Sequence, residues 1–138
     1  MKLMSVKRFI DTNVLIYAFS DDDAKASVAE CVLAAGGIIS VQVLNEFTNV
    51  CCRKLKLEWY ATEERLAVVK ALACEVLPIT LDHHEKAITL ARAHGFGFYD
   101  ALIIAAALIS NCTALITEDL QHGRTIEGLR IENPFAAC

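Results

Sequence analysis

Four acids stand apart from the other charges of this 138-residue chain, because each falls at the edge of an apolar segment: Asp11, Glu46, Asp100 and Asp119. Asp11 ends the run from Val6 to Ile10, and Asp119 lies just past the run from Ala114 to Ile116. Glu46 lies in the first turns of an amphipathic stretch, and Asp100 opens a stretch that is apolar on every side. Taken singly, each has an ordinary explanation. Asp100 and Glu46 suit a helix N-terminal dipole, Asp11 suits a cap or Asx-turn, and Asp119 suits a turn after a strand. Gathered in one place without a basic partner, the four would repel one another and their pKa values would rise unless a divalent cation neutralised them. A hard ion such as Mg²⁺ or Mn²⁺ suits such a set. It takes oxygen ligands at about 2 Å, keeps several waters, and is usually held by few carboxylates together with substrate phosphates. Phosphoryl chemistry follows from that preference.

The elements that must bring these acids together can be read from periodicity. Val6 to Ile10 predicts a strand, and Ala24 to Ala35 a helix behind the capping candidates Asp21, Asp22 and Asp23, which read as solvated helix-start residues. Gly36 and Gly37 precede a short β-branched strand from Ile38 to Val41. Gln42 to Leu55 and Thr62 to Ala73 have helical spacing, and Val76 to Thr80 predicts a strand that Pro78 confines to an edge or a bulge. Asp82 to Ala93 and Asp100 to Ile109 predict two more helices, the second buried on all sides. Ala114 to Ile116 and Leu129 to Ile131 complete the strands. Alternation of strands and helices predicts an α/β fold, a three-layer α/β/α sandwich on a central, mainly parallel sheet. In such sheets ligands bind beyond the carboxyl edge, where Asp11 and Asp119 are expected to emerge and where the helix starts carrying Glu46 and Asp100 can face.

The bulk composition bounds the reading. The length is that of one ordinary domain, so residues 1–138 are expected to form a single unit. A chain 55% hydrophobic, with mean hydropathy +0.42, two prolines and six glycines, is neither disordered nor of low complexity. The apolar excess hints at surface covered by a partner. The longest uncharged run, Ala101 to Thr117, is broken by Ser110, Asn111, Cys112 and Thr113, whereas crossing a bilayer takes about 20 mainly apolar residues. The N-terminus, with Lys2, Lys7 and Arg8 before Asp11, lacks the pattern of a signal peptide, so a cytoplasmic location and no membrane are expected. Cys31, Cys51, Cys52, Cys74, Cys112 and Cys138 form no CxxC pair and read as reduced, buried small hydrophobes. The net charge of −4 does not favour a nucleic-acid surface, an objection that a cation held among the acids would lower.

Four pieces of sequence, in order, carry a resemblance: Phe9-Ile10-Asp11-Thr12-Asn13-Val14-Leu15, Val43-Leu44-Asn45-Glu46-Phe47, Tyr99-Asp100-Ala101-Leu102-Ile103 and Ile116-Thr117-Glu118-Asp119-Leu120. Over nearly the whole chain they resemble the PilT N-terminal, or PIN, domain family of metal-dependent ribonucleases, which includes toxins of type II toxin-antitoxin pairs. The resemblance implies that Asp11, Glu46, Asp100 and Asp119 are catalytic and hold Mg²⁺ or Mn²⁺, that Thr117 is the family's Ser or Thr near the metal, and that Asn13 is a supporting polar residue. It implies hydrolysis of RNA by an in-line attack of metal-activated water, leaving 5′-phosphate and 3′-hydroxyl ends. It also implies a homodimer and, for a toxin, a small antitoxin partner. Some relatives carry a further aspartate where this chain has Gln121, which leaves the number of metals open.

Softer candidates are Thr12 for a hydrogen bond in the site, Arg124 for phosphate, and the cluster Arg53, Lys54 and Lys56 for an RNA backbone. For Arg124 a plain surface role is the stronger expectation, and a solvated helix end explains the basic cluster equally well. Asp82-His83-His84 matches the signature of another metal-dependent phosphoesterase family, but Asp82 with Glu85 fits a helix N-terminal capping pattern, and the chain has no room for that family's second domain. His94 before Gly95 reads as a C-terminal helix residue. Two rival functions stay open at this stage: a non-catalytic PIN-like module binding RNA or protein, and a phosphatase acting on small molecules.

Overall fold

Short, doubly buried strands set the architecture, which a computed structural model describes for residues 6–136; Lys2 and Cys138 lie outside the described residues. In chain order the elements are β1 (Arg8–Ile10), α1 (Thr12–Ala18), α2 (Asp23–Ala34), β2 (Ile38–Ser40), α3 (Val41–Asn49), α4 (Trp59–Leu72), β3 (Glu75–Leu77), α5 (Leu81–His94), α6 (Phe98–Ile109), β4 (Ala114–Ile116), β5 (Thr125–Ile126) and β6 (Leu129–Glu132). The sheet runs β3-β2-β1-β4-β6-β5, parallel throughout except for the β5–β6 pair. β1 pairs β4 in register Ile10 with Ile116, and the ladder continues as the Asp11 N–H donates to the Ile116 carbonyl at 3.0 Å.

The chain winds outward from β1 through β2 to β3, then crosses back through α5 and α6 to β4 on the other side of β1. Because parallel crossovers keep one hand, this reversal puts helices on both faces and makes the three layers. It also makes the β1–β4 boundary the switch point of the sheet, where a crevice opens beyond the carboxyl ends of the strands. Asp11 follows β1 and Thr117 follows β4, so the topology alone delivers both to that crevice.

Packing follows the apolar pattern. Ala101 through Ala107 of α6 are all buried, as its unbroken apolar sequence predicts, and they join Phe9, Ile10, Leu15, Phe47, Leu115 and Ile131 in one core cluster. Asp22 caps α2, its side chain accepting from the Lys25 N–H at 3.1 Å. Gly95, at φ +75°, closes α5 in the left-handed conformation that favours glycine. Ser40, 2% exposed, caps α3 by accepting from the Val43 N–H at 3.4 Å. Ser40→Ala is expected to cost about 1 kcal/mol, read as a lower midpoint in urea at unchanged slope.

Several expectations shift. Thr12–Ala18 is a short helix capped by Asp11, where a cap or an Asx-turn is all that is expected, and β5 has only two residues, formed by a tight hairpin at Glu127 (φ 49°) and Gly128 (φ 87°). β3 spans Glu75–Leu77 and stops before Pro78, on the sheet edge as its proline requires. α3 continues as a π-helical turn over Val50–Lys54, and α4 begins at Trp59, before the expected Thr62. The cap of α5 is Thr80, not Asp82: its hydroxyl accepts from the His83 N–H while His83 Nδ1 accepts from the Thr80 N–H at 2.9 Å. His83 is therefore buried in a capping box. Of the cysteines, Cys51 and Cys112 are buried, but Cys31 and Cys74 are exposed, because they lie on the outer face of α2 and in the loop before β3; all five described cysteines are free. No single helix among the described residues is long and apolar enough to cross a membrane. The apolar excess reaches the surface at Trp59, Tyr60, Leu81 and Tyr99, all more than half exposed.

Candidate functional site

Asp11 lies at the carboxyl end of β1, beside the end of β4. It caps α1, with Oδ1 accepting from the Thr12 N–H at 2.7 Å, and is only 5% exposed. Its Oδ2 accepts from the Thr117 hydroxyl at 2.8 Å and from the Asn13 amide at 3.4 Å. Thr117, fully buried, also accepts from Asn13 Nδ2 at 3.1 Å and from the Asp119 N–H at 3.1 Å. Asn13 Oδ1 in turn accepts from the Glu118 N–H at 3.1 Å. One web of hydrogen bonds thus fixes Asp11 against the backbone that carries Asp119.

Glu46 stands on α3, where the second turn after the Ser40 cap brings it over α1. Thr12 Oγ1 donates to Glu46 Oε2 at 2.9 Å, and Gln42 Nε2 donates to Oε1 at 3.2 Å. Thr12, the softer candidate for a hydrogen bond, thus contacts the Glu46 carboxylate directly. Asp100 occupies the first turn of α6 and is exposed as a residue, although its carboxyl is partly desolvated.

Electrostatics link the four acids. Burial pushes the Asp11 carboxyl up to about 7, against the Thr117 and Thr12 hydrogen bonds, and the charges of Glu46 and Asp119 add to the rise. The Asp100 pKa is raised by desolvation and then by the Asp119 charge. Among the described residues none of the four forms an ion pair with Lys or Arg; the pairs that form are Lys25–Glu118, Lys86–Glu127 and Arg130–Glu132. An all-oxygen set with unbalanced negative charge fits a hard divalent cation. Among the described residues no three acidic, His or Cys side chains converge closely enough to ligate one ion as they stand. A cation here would therefore be held through few direct ligands and several waters, the habit of Mg²⁺.

Glu118 turns away from its neighbour Asp119. Its carboxylate receives Lys25 Nζ at 2.6 Å and the Tyr17 hydroxyl at 2.8 Å, and Lys25 lowers its pKa. Lys25 also lies 4.2 Å from the Tyr17 ring centroid. This brace joins α1, α2 and the loop after β4, and no spacing in the sequence signals it. Arg124 lies over the Phe96 ring at 4.9 Å and beside His94 Nδ1, a packing role. Arg53, Lys54 and Lys56 are exposed at the π-helical turn and its end. A separate hollow beside α2, lined by Arg8, Cys31, His122 and Arg130, contains none of the four acids.

A family model described as the PIN domain matches residues 8–127. No curated protein matches the chain. Among solved structures, a chain of a toxin-antitoxin complex from Klebsiella pneumoniae is similar at 25% identity and TM-score 0.71, covering 95% of this chain and 98% of that one. DNA-bound VapBC from Salmonella typhimurium aligns at 24% identity and TM-score 0.65, covering 94% and 99%. Mycobacterium tuberculosis VapC20, described as a sarcin-ricin loop cleaving toxin, aligns at 21% identity and TM-score 0.66, covering 79% and 87%.

Proposed function

The chain belongs to the PIN domain family, and on that premise we propose that it is a metal-dependent endoribonuclease, the toxin of a toxin-antitoxin pair. The observation that carries this reading is the run of four carboxylates without basic partners at the switch point of the sheet, with Asp11 buried at its centre. Asp11, Glu46, Asp100 and Asp119 are the catalytic and metal-holding residues, with Asn13 and Thr117 supporting them. Mg²⁺, or Mn²⁺ in its place, supplies charge neutralisation and Lewis acidity toward the scissile phosphate.

The chain's own groups do the positioning. Thr12 and Gln42 aim the Glu46 carboxylate, and Thr117 and Asn13 hold Asp11 and the Asp119 backbone in one frame. Asp100 lies within reach of the Asp119 charge, and its pKa, raised by desolvation and by that charge, suits it to accept a proton from an incoming nucleophile. Family likeness to toxin-antitoxin complexes supports a protein antitoxin as partner, and the exposed apolar residues suit a homodimer or that partner. A cytoplasmic location accords with this assignment.

The test is cleavage of a mixed RNA pool with Mg²⁺ or Mn²⁺, with an EDTA control and with Asp100→Asn. Metal-dependent cutting lost in the variant is the expected result. RNA that binds folded, metal-loaded protein but stays intact would assign the chain to a binding module instead, and turnover of small phosphate esters alone would assign it to the phosphatases.

A further inference from the structure

Two adjoining hollows, about 540 and about 400 Å³, open beside Glu46 and share Asn45 and Asn49 as common wall. The first begins at Gln42, Glu46 and Tyr99, next to Asp100; the second ends at Arg53 and Trp59. Gln42, Asn45, Asn49 and Arg53 succeed one another at helical intervals of three and four, so α3 and its π-helical turn present them along one side. The two aromatics that flank this track are 63% and 65% exposed, Tyr99 at the acidic end and Trp59 at the basic end. Asn45 and Asn49 spend no side-chain hydrogen bond within the described residues, which leaves both amides free toward the groove.

We propose that this groove is the path of single-stranded RNA leading to the carboxylates, with unpaired bases stacked on Tyr99 and Trp59. Exposed rings beside a polar track are the arrangement that holds unstacked bases, since every base has a π-face while amide groups can meet base edges and sugars. Arg53, with Lys54 and Lys56 beside it, gives the far end the positive charge that a phosphate backbone needs on an otherwise acidic chain. From Gln42 to Arg53 the helical rise spans roughly 16 Å, enough for on the order of three to five stacked nucleotides at 3.4 Å each. A duplex offers no free base faces, so the groove selects unpaired segments. The proposal rests on the ribonuclease reading for its substrate, and deepens it by naming the surface and the side chains that hold the RNA.

Trp59 is the single tryptophan of the chain, so its fluorescence reports the groove directly. The full-length protein is titrated with an unstructured single-stranded RNA oligonucleotide and with its duplex, in Ca²⁺ to permit binding without turnover, and cleavage is measured separately in Mg²⁺. The expected result is saturable quenching of Trp59 by the single strand and little by the duplex. Trp59→Ala and Tyr99→Ala, followed by anisotropy of labelled RNA, should each weaken binding about tenfold to a hundredfold and raise KM with kcat little changed. Both rings are surface residues, and circular dichroism checks that the variants fold. Cleavage with unchanged KM in both variants, or no quenching by single strands, overturns the groove while leaving the nuclease intact; such aromatics would then serve a protein partner. Quenching and binding without cleavage in Mg²⁺ keeps the groove and removes the nuclease.

Discussion

Asp119→Asn is expected to reduce metal-dependent RNA cleavage on the order of a thousandfold, whereas Glu118→Gln, one residue away, is expected to reduce it no more than about fivefold. In the sequence only the family resemblance favours Asp119 over its neighbour; the structure adds a physical reason in the partners that each acid and its backbone take after Thr117. The Glu118 N–H is held by Asn13 and the Asp119 N–H by Thr117, so the two side chains leave the loop on different sides. Glu118 goes to Lys25 and Tyr17, where its negative charge is already balanced by the Lys25 ammonium. Asp119 has no basic partner among the described residues and acts on both Asp11 and Asp100. The Lys25–Glu118 contact is a partly exposed pair, which limits what its loss can do to the loop. Steady-state cleavage of one RNA substrate by both variants checks the contrast. Equal losses would mean that the brace, and not the carboxylate at position 119, governs the site.

Much of this arrangement is legible from residue types because the relevant signals are local. Asp11 and Asp119 follow buried strands, and a parallel sheet converts strand ends into a shared edge. α6 declares itself by being apolar on every side, and the structure buries seven of its residues in succession. What escapes the sequence depends on contacts between distant segments. Thr12–Ala18 goes unread as a helix because seven residues are too short a span for helical periodicity to show, and the Thr80–His83 box is hidden because histidine replaces the usual acid or amide at the third position. The Lys25–Tyr17–Glu118 brace spans 101 positions, and Trp59 and Asn49 line one hollow across the π-helical turn, joining two helices whose relation no periodicity encodes. Cys31 and Cys74 mislead for a simpler reason: a cysteine in an apolar run can occupy the outer face of a half-buried helix or a loop.

In the absence of divalent cations the protein is expected to lose stability as pH rises from 5 to 8, and Mg²⁺ should restore more of it at pH 8 than at pH 5. The cause is Asp11, whose carboxyl titrates near 7 when folded and at about its ordinary value of 3.8 when the chain is unfolded. Between those values the folded state binds more protons than the unfolded state, so the free energy of unfolding falls with increasing pH. The stability contributed by the protonated acid is fully present below 3.8 and is lost as pH passes through about 7. The full loss is on the order of 4 kcal/mol, of which the window from pH 5 to 8 takes about 3 kcal/mol, or roughly 10 °C in Tm for a domain of this size. Asp100, also raised, acts in the same direction, while the lowered Glu118 has its effect below its ordinary pKa of 4.5, outside the window measured. A cation competes with the proton for Asp11, so its binding strengthens as the carboxyl ionises and offsets the repulsion from Glu46 and Asp119. Asp11→Asn removes the titrating group, and should flatten the pH dependence and abolish most of the Mg²⁺ gain. Thermal melts of both proteins at pH 5 and pH 8, with EDTA or Mg²⁺, separate these terms. A native protein whose metal-free Tm is the same at both pH values, or a variant that retains the native slope, would place the buried charge elsewhere than at Asp11.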